Sequence, residues 1–495
     1  MKRFRIFGLV AAAAFALAGL AACGGNPDPN AEGKTAIEFW GWGDAAEIAV
    51  FKGLVDAYNA SAREVYVNFT KKPSATYDTD TATQMNSRKP PDVVYSADSV
   101  VKNWAKNGYI EDLTPYIAAS GFDLDDLWDS QLERFQFETD TFRHTSDAPI
   151  WGLPKDLGPT AIFYNKDALN AVGVTVVENM PIERVGDEDE KHGYYVKDGQ
   201  KYFNNSIPMT WEELETLSGL LTKSQNPASP TDYGFYCSWW FMFGWSVGGD
   251  VLKFVPSDDP AYKGGWWEFG LNNPAKNYIK DGEFVAAGTP GAVELPSVKE
   301  AFEYWISYSA GKGISPKPNE ISVKSTLFTD EKTAMLVEGR YLVPELRRDC
   351  GFEWDVAPLA KHRDGVEAGH SGGMCLSVPK KSKNKDAAYQ FIEYLSGAEG
   401  QEALIPSGFN VPNQKSLAGS DKFLIDTEPP YNNEVFVRAA QVQRGGDWTF
   451  MPDDAWIEEW APTLNGDVLN GAKTLDDLYA LVPAVNAKLK TYTKK

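Results

Sequence analysis

The feature that most constrains the fold is an alternation of strand-like and helix-like segments near the start of the chain. Alternating apolar positions predict a strand at 36–40, and two further strands are predicted at 65–69 and 91–95. Apolar residues at helical spacing predict helices at 45–59 and 98–106. Strands that alternate with helices in this way form largely parallel sheets. We therefore expect an α/β protein whose ligand site lies beyond the carboxyl ends of its strands.

The N-terminus has the pattern of an export signal. Lys2, Arg3 and Arg5 precede an apolar run over 6–22, and small residues lead to Cys23. This pattern resembles a bacterial lipoprotein signal, in which the cysteine is lipidated, for example with palmitate, after cleavage. The alternative is a transmembrane anchor, but the run is short for the ~20 residues that a spanning helix needs. We expect residues 1–22 to be a signal peptide and the mature protein to be lipid-anchored on the extracytoplasmic face of the cell membrane.

Residues 23–34 are rich in glycine, proline and polar side chains. Such a stretch has too little apolar surface to fold, so we expect a flexible tether between the lipid and a globular body. That body is long enough for two domains.

The charge balance excludes one class of partner. The chain has 48 Lys and Arg against 69 Asp and Glu, and three of the basic residues belong to the export segment. A body this acidic does not favour nucleic acid or a flat contact with anionic lipid. We expect the membrane to be reached through the lipid anchor alone.

Cysteine and histidine spacing predicts neither a metal site nor a cofactor. Cys237, Cys350 and Cys375 have no C-x-x-C spacing, and the four histidines are scattered. The extracytoplasmic compartment permits a disulfide. Cys350 with Cys375 is the pair to test first, although sequence leaves the connectivity open.

Five groups of segments, in order, carry a family resemblance. They are 91–94 with 108–115, 150–156 with 164–169, 208–214, 328–341 with 354–359, and 372–373 with 382–392. Together they resemble the family 1 extracellular solute-binding proteins of sugar ABC importers, of which the maltodextrin-binding proteins are a branch. Two features depart from that pattern. Residues 176–207 are a long link with a predicted hairpin at 194–203, near the cleft rim, and Tyr341 stands where much of the family has Trp.

The resemblance implies a two-lobe periplasmic-binding-protein-like fold with three hinge crossings and a ligand cleft between the lobes. By matching segments, lobe one would be 35–128 plus 361–430, and lobe two 129–360 plus 431–495. It implies a monomeric protein, not an enzyme, that captures a carbohydrate and delivers it to ABC permease subunits. The alternative is a secreted, lipid-anchored glycoside hydrolase, which would need two suitably spaced carboxylates.

Sugar recognition guides the choice of site residues, because aromatic rings cover the apolar face of a pyranose and polar groups bind its hydroxyls. The predicted contacts are Trp42, Asp44, Ser96, Asp98, Asp156, Trp239, Trp240, Trp267, Arg340, Tyr341, Gly372, Gly373, Trp448 and Trp456.

Each of these residues also has a structural interpretation. Most tryptophans lie in cores. Trp42 is favoured for the site because it sits in a glycine-flanked loop after a strand. Asp44 and Asp98 could be helix N-caps. Arg340 could form a surface ion pair, and Gly372 and Gly373 could simply make a tight turn.

Overall fold

A computed structural model describes residues 31–61, 63–238, 240–425, 427–445 and 451–495. Three predicted functional residues, Cys23, Trp239 and Trp448, lie outside those ranges, as does most of the predicted tether. Within them, no helix combines the length and the apolar character that crossing a membrane would require.

Strands are numbered in chain order. They are β1 Thr35–Gly41, β2 Val65–Lys71, β3 Val93–Ser96, β4 Leu153–Pro154, β5 Gly158–Asn165, β6 Val174–Val177, β7 Tyr194–Lys197, β8 Gln200–Asn204, β9 Tyr233–Cys237, β10 Leu252–Pro256, β11 Gly265–Phe269, β12 Asn277–Lys280, β13 Glu283–Val285, β14 Val293–Leu295, β15 Thr333–Gly339, β16 Trp354–Ala357, β17 Ser371–Gly372 and β18 Cys375–Ser377.

Helices are numbered in the same way. They are α1 Ala45–Ala60, α2 Tyr77–Met85, α3 Asp98–Lys106, α4 Thr114–Ser120, α5 Asp129–Phe135, α6 Lys166–Ala171, α7 Trp211–Leu220, α8 Phe241–Gly244, α9 Val298–Ala310, α10 Lys324–Thr329, α11 Val343–Asp349, α12 Lys385–Ser396, α13 Ala398–Leu404, α14 Lys415–Ala418, α15 Asp421–Leu424, α16 Glu434–Val442, α17 Ala455–Glu458, α18 Leu475–Tyr479 and α19 Val482–Thr491.

The first lobe is built on a five-stranded sheet in the order β2-β1-β3-β18-β4. β1 runs parallel to β2 and β3, as the alternation of strands and helices predicts. Phe39 on β1 packs against Phe51 of α1 and Phe391 of α12, with ring centroids 5.4 and 5.5 Å away. These helices cover the sheet, so the loop after β1 is free to face the second lobe.

The second lobe is built on a sheet in the order β16-β5-β15-β9, with β17 also paired to β5. All eight residues of β5 are buried. Their side chains alternate between two cores: Ala161 and Phe163 pack on one face, and Ile162 and Tyr164 on the other. Continuous burial of this kind is typical of a strand covered on both faces.

Strand pairing locates the passages between the two sheets. The chain leaves the first sheet at β4 and enters the second at β5; it returns between β17 and β18. A third passage follows α13, because Val411 is bridged to Leu157 beside β5. The predicted boundaries at 128 and 360 differ from this pairing: 153–154 belong to the first sheet and 371–372 to the second. The difference arises because β4 is placed by pairing with β18, far along the chain.

The long link over 176–207 forms a small separate sheet in the order β6-β8-β7. The predicted hairpin is present: β7 and β8 are antiparallel around Asp198 and Gly199, whose φ angles are 52° and 81°. Two positive φ values suit the right-handed twist of a two-residue hairpin.

The three described cysteines are free thiols. Cys375 is buried on β18 of the first sheet, whereas Cys350 follows α11 in the second lobe. The suggested pair of Cys350 with Cys375 is therefore wrong, because the two residues belong to different lobes.

Asp355 on β16 gives the fold a measurable pH dependence. Its Oδ1 accepts backbone N–H bonds from Val356, Tyr431 and Asn432, at 2.9, 2.9 and 3.2 Å. Burial raises the pKa of Asp355 to about 6, above the ~3.9 of an unfolded chain. The folded state therefore binds more protons between these values, and this group's contribution to stability falls as pH rises through that window.

We predict that Asp355→Asn removes this loss, since an amide oxygen can keep the three backbone bonds without a charge. The free energy of unfolding of the wild type should fall by about 2–3 kcal/mol relative to the variant between pH 4 and 7. Denaturant unfolding at several pH values measures this difference, with Asp56→Asn on the exposed face of α1 as control. Parallel pH profiles of wild type and Asp355→Asn would contradict the assignment.

Candidate ligand-binding cleft

A cavity of about 460 Å³ lies where the loop after β1, the end of β15 and all three passages between the sheets meet. Its size is that of a small-ligand site. It is lined by Trp42, Gly43, Asp44, Glu47, Tyr95, Asp156, Gly158, Thr160, Glu338, Gly339, Tyr341, His370, Gly372, Gly373, Met374, Phe409 and Asn410. None of these lies in the 176–207 link, so the structure does not place that link at the wall of this cavity.

The first wall is built by the turn from β1 into α1. Gly43 has a φ of 154°, and a Cβ there would overlap the Glu47 carboxylate. Asp44 caps α1 by accepting the Glu47 backbone N–H at 2.8 Å, and it also borders the cavity. The Trp42 ring packs 5.9 Å from that of Tyr95. The cap therefore fixes the loop that presents an aromatic ring and a carboxylate to the cavity.

The floor contains a buried ion cluster centred on Lys155. Its Nζ lies 2.5 Å from Asp156 Oδ2 and 3.1 Å from Glu47 Oε1. Burial opposes the charge on Lys155, but the Asp156 and Glu47 carboxylates outweigh it and raise the pKa of the ammonium. Tyr95 donates to Glu47 at 2.6 Å, and Asn410 donates to Asp156 at 2.7 Å. The cluster therefore connects polar groups of the first lobe with those of the first and third passages.

The second wall is the end of β15. Tyr341 is half exposed, and its hydroxyl donates to Glu338 Oε2 at 2.6 Å. Burial and the Glu338 carboxylate raise the pKa of Tyr341 well above its usual range. A Cβ at Gly339 would come within 2.8 Å of the Tyr341 ring, so this glycine lets the ring lie against the strand end.

Gly372 and Gly373, here called the glycine ridge, close the third side of the cavity. A Cβ at Gly373 would lie 3.0 Å from Asp156 O and 3.1 Å from an Arg134 nitrogen, so the backbone approaches its neighbours closely here. Behind the ridge, Arg134 and Asp98 form a buried ion pair at 3.5 Å. Burial raises the pKa of Asp98 despite Arg134, and burial lowers that of Lys102 to about 8. This group supports the ridge from behind.

The structure brings six predicted contact residues together around the cavity: Trp42, Asp44, Asp156, Tyr341, Gly372 and Gly373. Two more, Ser96 and Asp98, are buried and do not line it; Ser96 Oγ lies 3.5 Å from Cys375 Sγ. Their place at the end of β3 is as expected, but a ligand in this cavity would not reach their side chains.

Arg340 is a correction to the predicted site. It is buried, donates to Asn433 at 2.7 Å, and lies 4.7 and 4.8 Å from the rings of Phe423 and Phe436. The chain turns at Gly339, so Arg340 and Tyr341 diverge, one into the core and the other toward the cavity.

Three tryptophans are also corrections, since Trp240, Trp267 and Trp456 are core residues outside the cavity wall. Trp240 packs on Phe241 and Phe302, and Trp456 packs on Phe269 and Trp460. The indole N–H of Trp267 donates to Thr141 O at 3.1 Å. Trp240 and Phe241 are adjacent and both buried, but they lie at the start of α8 and not in a strand, whereas Trp266, the neighbour of Trp267 on β11, is only half-buried.

Seven polar or aromatic lining residues were not predicted, and neither was the apolar Met374. The seven are Glu47, Tyr95, Thr160, Glu338, His370, Phe409 and Asn410. Glu338 had a usable signal, since it directly precedes the glycine and tyrosine of the matched motif. Glu47 lies three residues after the cap. Phe409 and Asn410 had no usable sequence signal, because tertiary folding alone places them here.

Burial and nearby Arg134 lower the pKa of His370 well below its usual range.

No group of three or more His, Cys, Asp or Glu side chains suited to a metal ion occurs among the described residues. The cavity offers aromatic rings, carboxylates, an amide and backbone groups instead. Such a set can bind a polar organic solute by stacking and hydrogen bonding.

Comparison with known proteins gives a family and a fold. The sequence profile of the bacterial extracellular solute-binding protein family matches residues 53–429. The galactooligosaccharide-binding protein of Bacillus subtilis (strain 168) is 23% identical over 429 residues, which cover 84% of this chain and 82% of that protein. A maltooligosaccharide ABC transporter solute-binding lipoprotein of Streptococcus pneumoniae serotype 4 is 25% identical over 150 residues, 30% of this chain and 33% of that protein.

Among solved structures, the ABC substrate-binding protein from Listeria monocytogenes in complex with cycloalternan has a TM-score of 0.65 at 20% identity, covering 92% of this chain and 99% of that one. This likeness shows the expected two-lobe fold with a cleft between the lobes. Because the family profile also spans most of the chain, the protein belongs to the bacterial extracellular solute-binding protein family.

Proposed function

We propose that this protein captures an oligosaccharide in the cleft and delivers it to the permease subunits of an ABC importer. The observation that carries the proposal is the pairing of two aromatic residues, Trp42 from the first lobe and Tyr341 from the second, around one cavity rich in hydrogen-bonding groups. Aromatic faces suit the C–H face of a pyranose, and carboxylates and amides suit its hydroxyls.

The relatives support the same ligand class. The Bacillus subtilis protein is named for galactooligosaccharides, and the Streptococcus pneumoniae protein for maltooligosaccharides. The hydrolase alternative is not retained, because the chain belongs to a family of solute-binding proteins. A binding protein must also release its load, and a few well-placed contacts give affinity without irreversible capture.

Capture by two lobes implies closure. We propose that the protein acts as a monomer whose lobes rotate about the passages near 155–157 and 373–374 and about the third passage after α13. Only a ligand that contacts both walls gains more in the closed state than in the open one, and that difference shifts the population. A permease would then recognise the closed form.

The lipid anchor is part of the proposal. The export pattern ends at Cys23, and the related Streptococcus pneumoniae protein is named a lipoprotein. One acyl chain binds a membrane only marginally, so stable anchoring needs more than one chain. The tether over 23–34 would then hold the body away from the membrane surface.

A thermal-shift screen of galacto- and maltooligosaccharides tests the function directly. A ligand at a hundredfold excess over its Kd should stabilise the folded state by about 2.7 kcal/mol. Shifts with oligosaccharides and none with amino acids or short peptides are expected. A screen in which no saccharide shifts the melting temperature would contradict the proposal. Release of shortened oligosaccharides after incubation with the protein would also contradict it.

We predict that Tyr341→Ala weakens oligosaccharide binding by about 1–3 kcal/mol, since a stacking ring is lost. The melting temperature without ligand should change little, because the side chain is 50% exposed. Tyr431→Ala is the matched control: that tyrosine is 42% exposed but lies outside the cavity wall. Titration calorimetry on the three proteins decides. Equal affinities for all three would remove Tyr341 from the site.

We predict that Cys23→Ser releases the protein from the membrane or leaves it unprocessed, because the acyl acceptor is lost. Cell fractionation and intact mass measure this, with Cys350→Ser as control for cysteine loss elsewhere. A Cys23→Ser protein that stays on the membrane with an acylated mass would show that the anchor is attached at another residue.

A further inference from the structure

Among the residues that the structure describes, the carboxylates that line the cavity outnumber the cations paired with them. We infer that the captured solute bears a positively charged group, as an amino sugar does, and that Glu338 receives it. This inference rests on the proposed function, because it concerns the chemistry of the saccharide bound in the same cleft.

Four carboxylates line the cavity, and they divide into two pairs. Glu47 and Asp156 share the buried ammonium of Lys155, at 3.1 and 2.5 Å. These two are therefore held by an internal cation. Glu338 and Asp44 form no ion pair with any described residue. They lie on opposite walls, one from each lobe.

Three cations around the cavity, Arg348, Arg134 and Lys102, are engaged with other partners. Arg348 interacts electrostatically with Asp44 at the rim, but its guanidinium makes two bonds to Asp349, at 2.7 and 2.6 Å. Arg134 and Lys102 lie behind the glycine ridge, where they bind Asp98 and a backbone carbonyl. His370 is held neutral by burial, since its pKa lies well below the usual value.

Of these two carboxylates, Glu338 is the more deeply buried, so its negative charge is the more costly. Glu338 is 3% exposed, and its carboxylate accepts hydrogen bonds from the Tyr341 hydroxyl at 2.6 Å and the Gly339 N–H at 3.2 Å. Both partners are neutral. Glu345 adds a further negative charge near Tyr341. A carboxylate removed from water without a counter-ion is costly, and a ligand cation would offset that cost.

The aromatic residues of the two walls add to the same preference. Trp42 and Tyr341 offer ring faces, which attract ammonium groups as well as sugar C–H groups. An acidic sugar would meet the reverse situation, since a uronate would be repelled by Glu338 and Asp44. Neutral saccharides would bind through hydroxyls without using the excess charge.

Titration calorimetry on the full chain, purified in detergent, tests this inference with matched probes. Each pair consists of an amino-sugar tetramer and the neutral tetramer with the same linkage. The three pairs are glucosamine with glucose, galactosamine with galactose, and mannosamine with mannose. At low ionic strength at least one amino sugar should bind about tenfold tighter than its neutral partner. Added salt should reduce that preference, because screening weakens an interaction between charges.

Two variants locate the effect. Glu338→Gln should abolish the preference for the amine, measured as the ratio of the affinities for the amino sugar and its neutral partner within the variant. Glu345→Gln is the control, since it removes the same charge from a residue that does not line the cavity. Tighter or equal binding of every neutral partner, or an unchanged preference in Glu338→Gln, would overturn the inference and leave oligosaccharide capture standing. If no saccharide binds, including the neutral galacto- and maltooligosaccharides, the proposed function itself fails.

Discussion

The site depends above all on one buried ammonium. Lys155 lies in the first passage between the sheets and binds Glu47 of α1 and its own neighbour Asp156, which in turn accepts from Asn410 of the third passage. The ammonium also lies about 5 Å from the rings of Phe51 and Phe409. Removing one partner from such a cluster leaves an uncompensated buried charge, so its members are mutually dependent. The first and third passages and the floor of the cleft are therefore held together by the same ion cluster.

The two walls above this cluster are fixed by different contacts. The first wall is fixed by local capping at Asp44, which positions Trp42. The second is fixed by the strand end and by the bond from Tyr341 to Glu338. Each wall is held by contacts within its own lobe, so in the proposed closure a change of angle at the passages would bring the walls together without rebuilding either one. The excess carboxylates then gain most from a ligand that places positive charge between them.

Predicted site residues with a local sequence signal lie at the cavity. Trp42 follows a strand in a glycine-flanked loop, and Tyr341 follows a glycine in a matched motif; both border the cavity. Predicted site residues whose position depends on tertiary contacts lie elsewhere. Trp240, Trp267 and Trp456 are core residues, and each has a contact distant in sequence: Phe302, Thr141 and Phe269 respectively. Arg340 turns into a core between Phe423 and Phe436. The fold class and its strands were predictable from periodicity and family resemblance. The first passage was misplaced because β4 exists only through its pairing with β18.

If one ligand is held by both lobes, small-angle scattering should detect their approach. We expect a smaller radius of gyration when an oligosaccharide found in the thermal-shift screen is added at saturation. Tyr341→Ala, which weakens the second wall, should need more ligand for the same contraction, whereas Tyr431→Ala should follow the wild type. An unchanged radius of gyration at saturating ligand would contradict capture by closure, even if the saccharide binds.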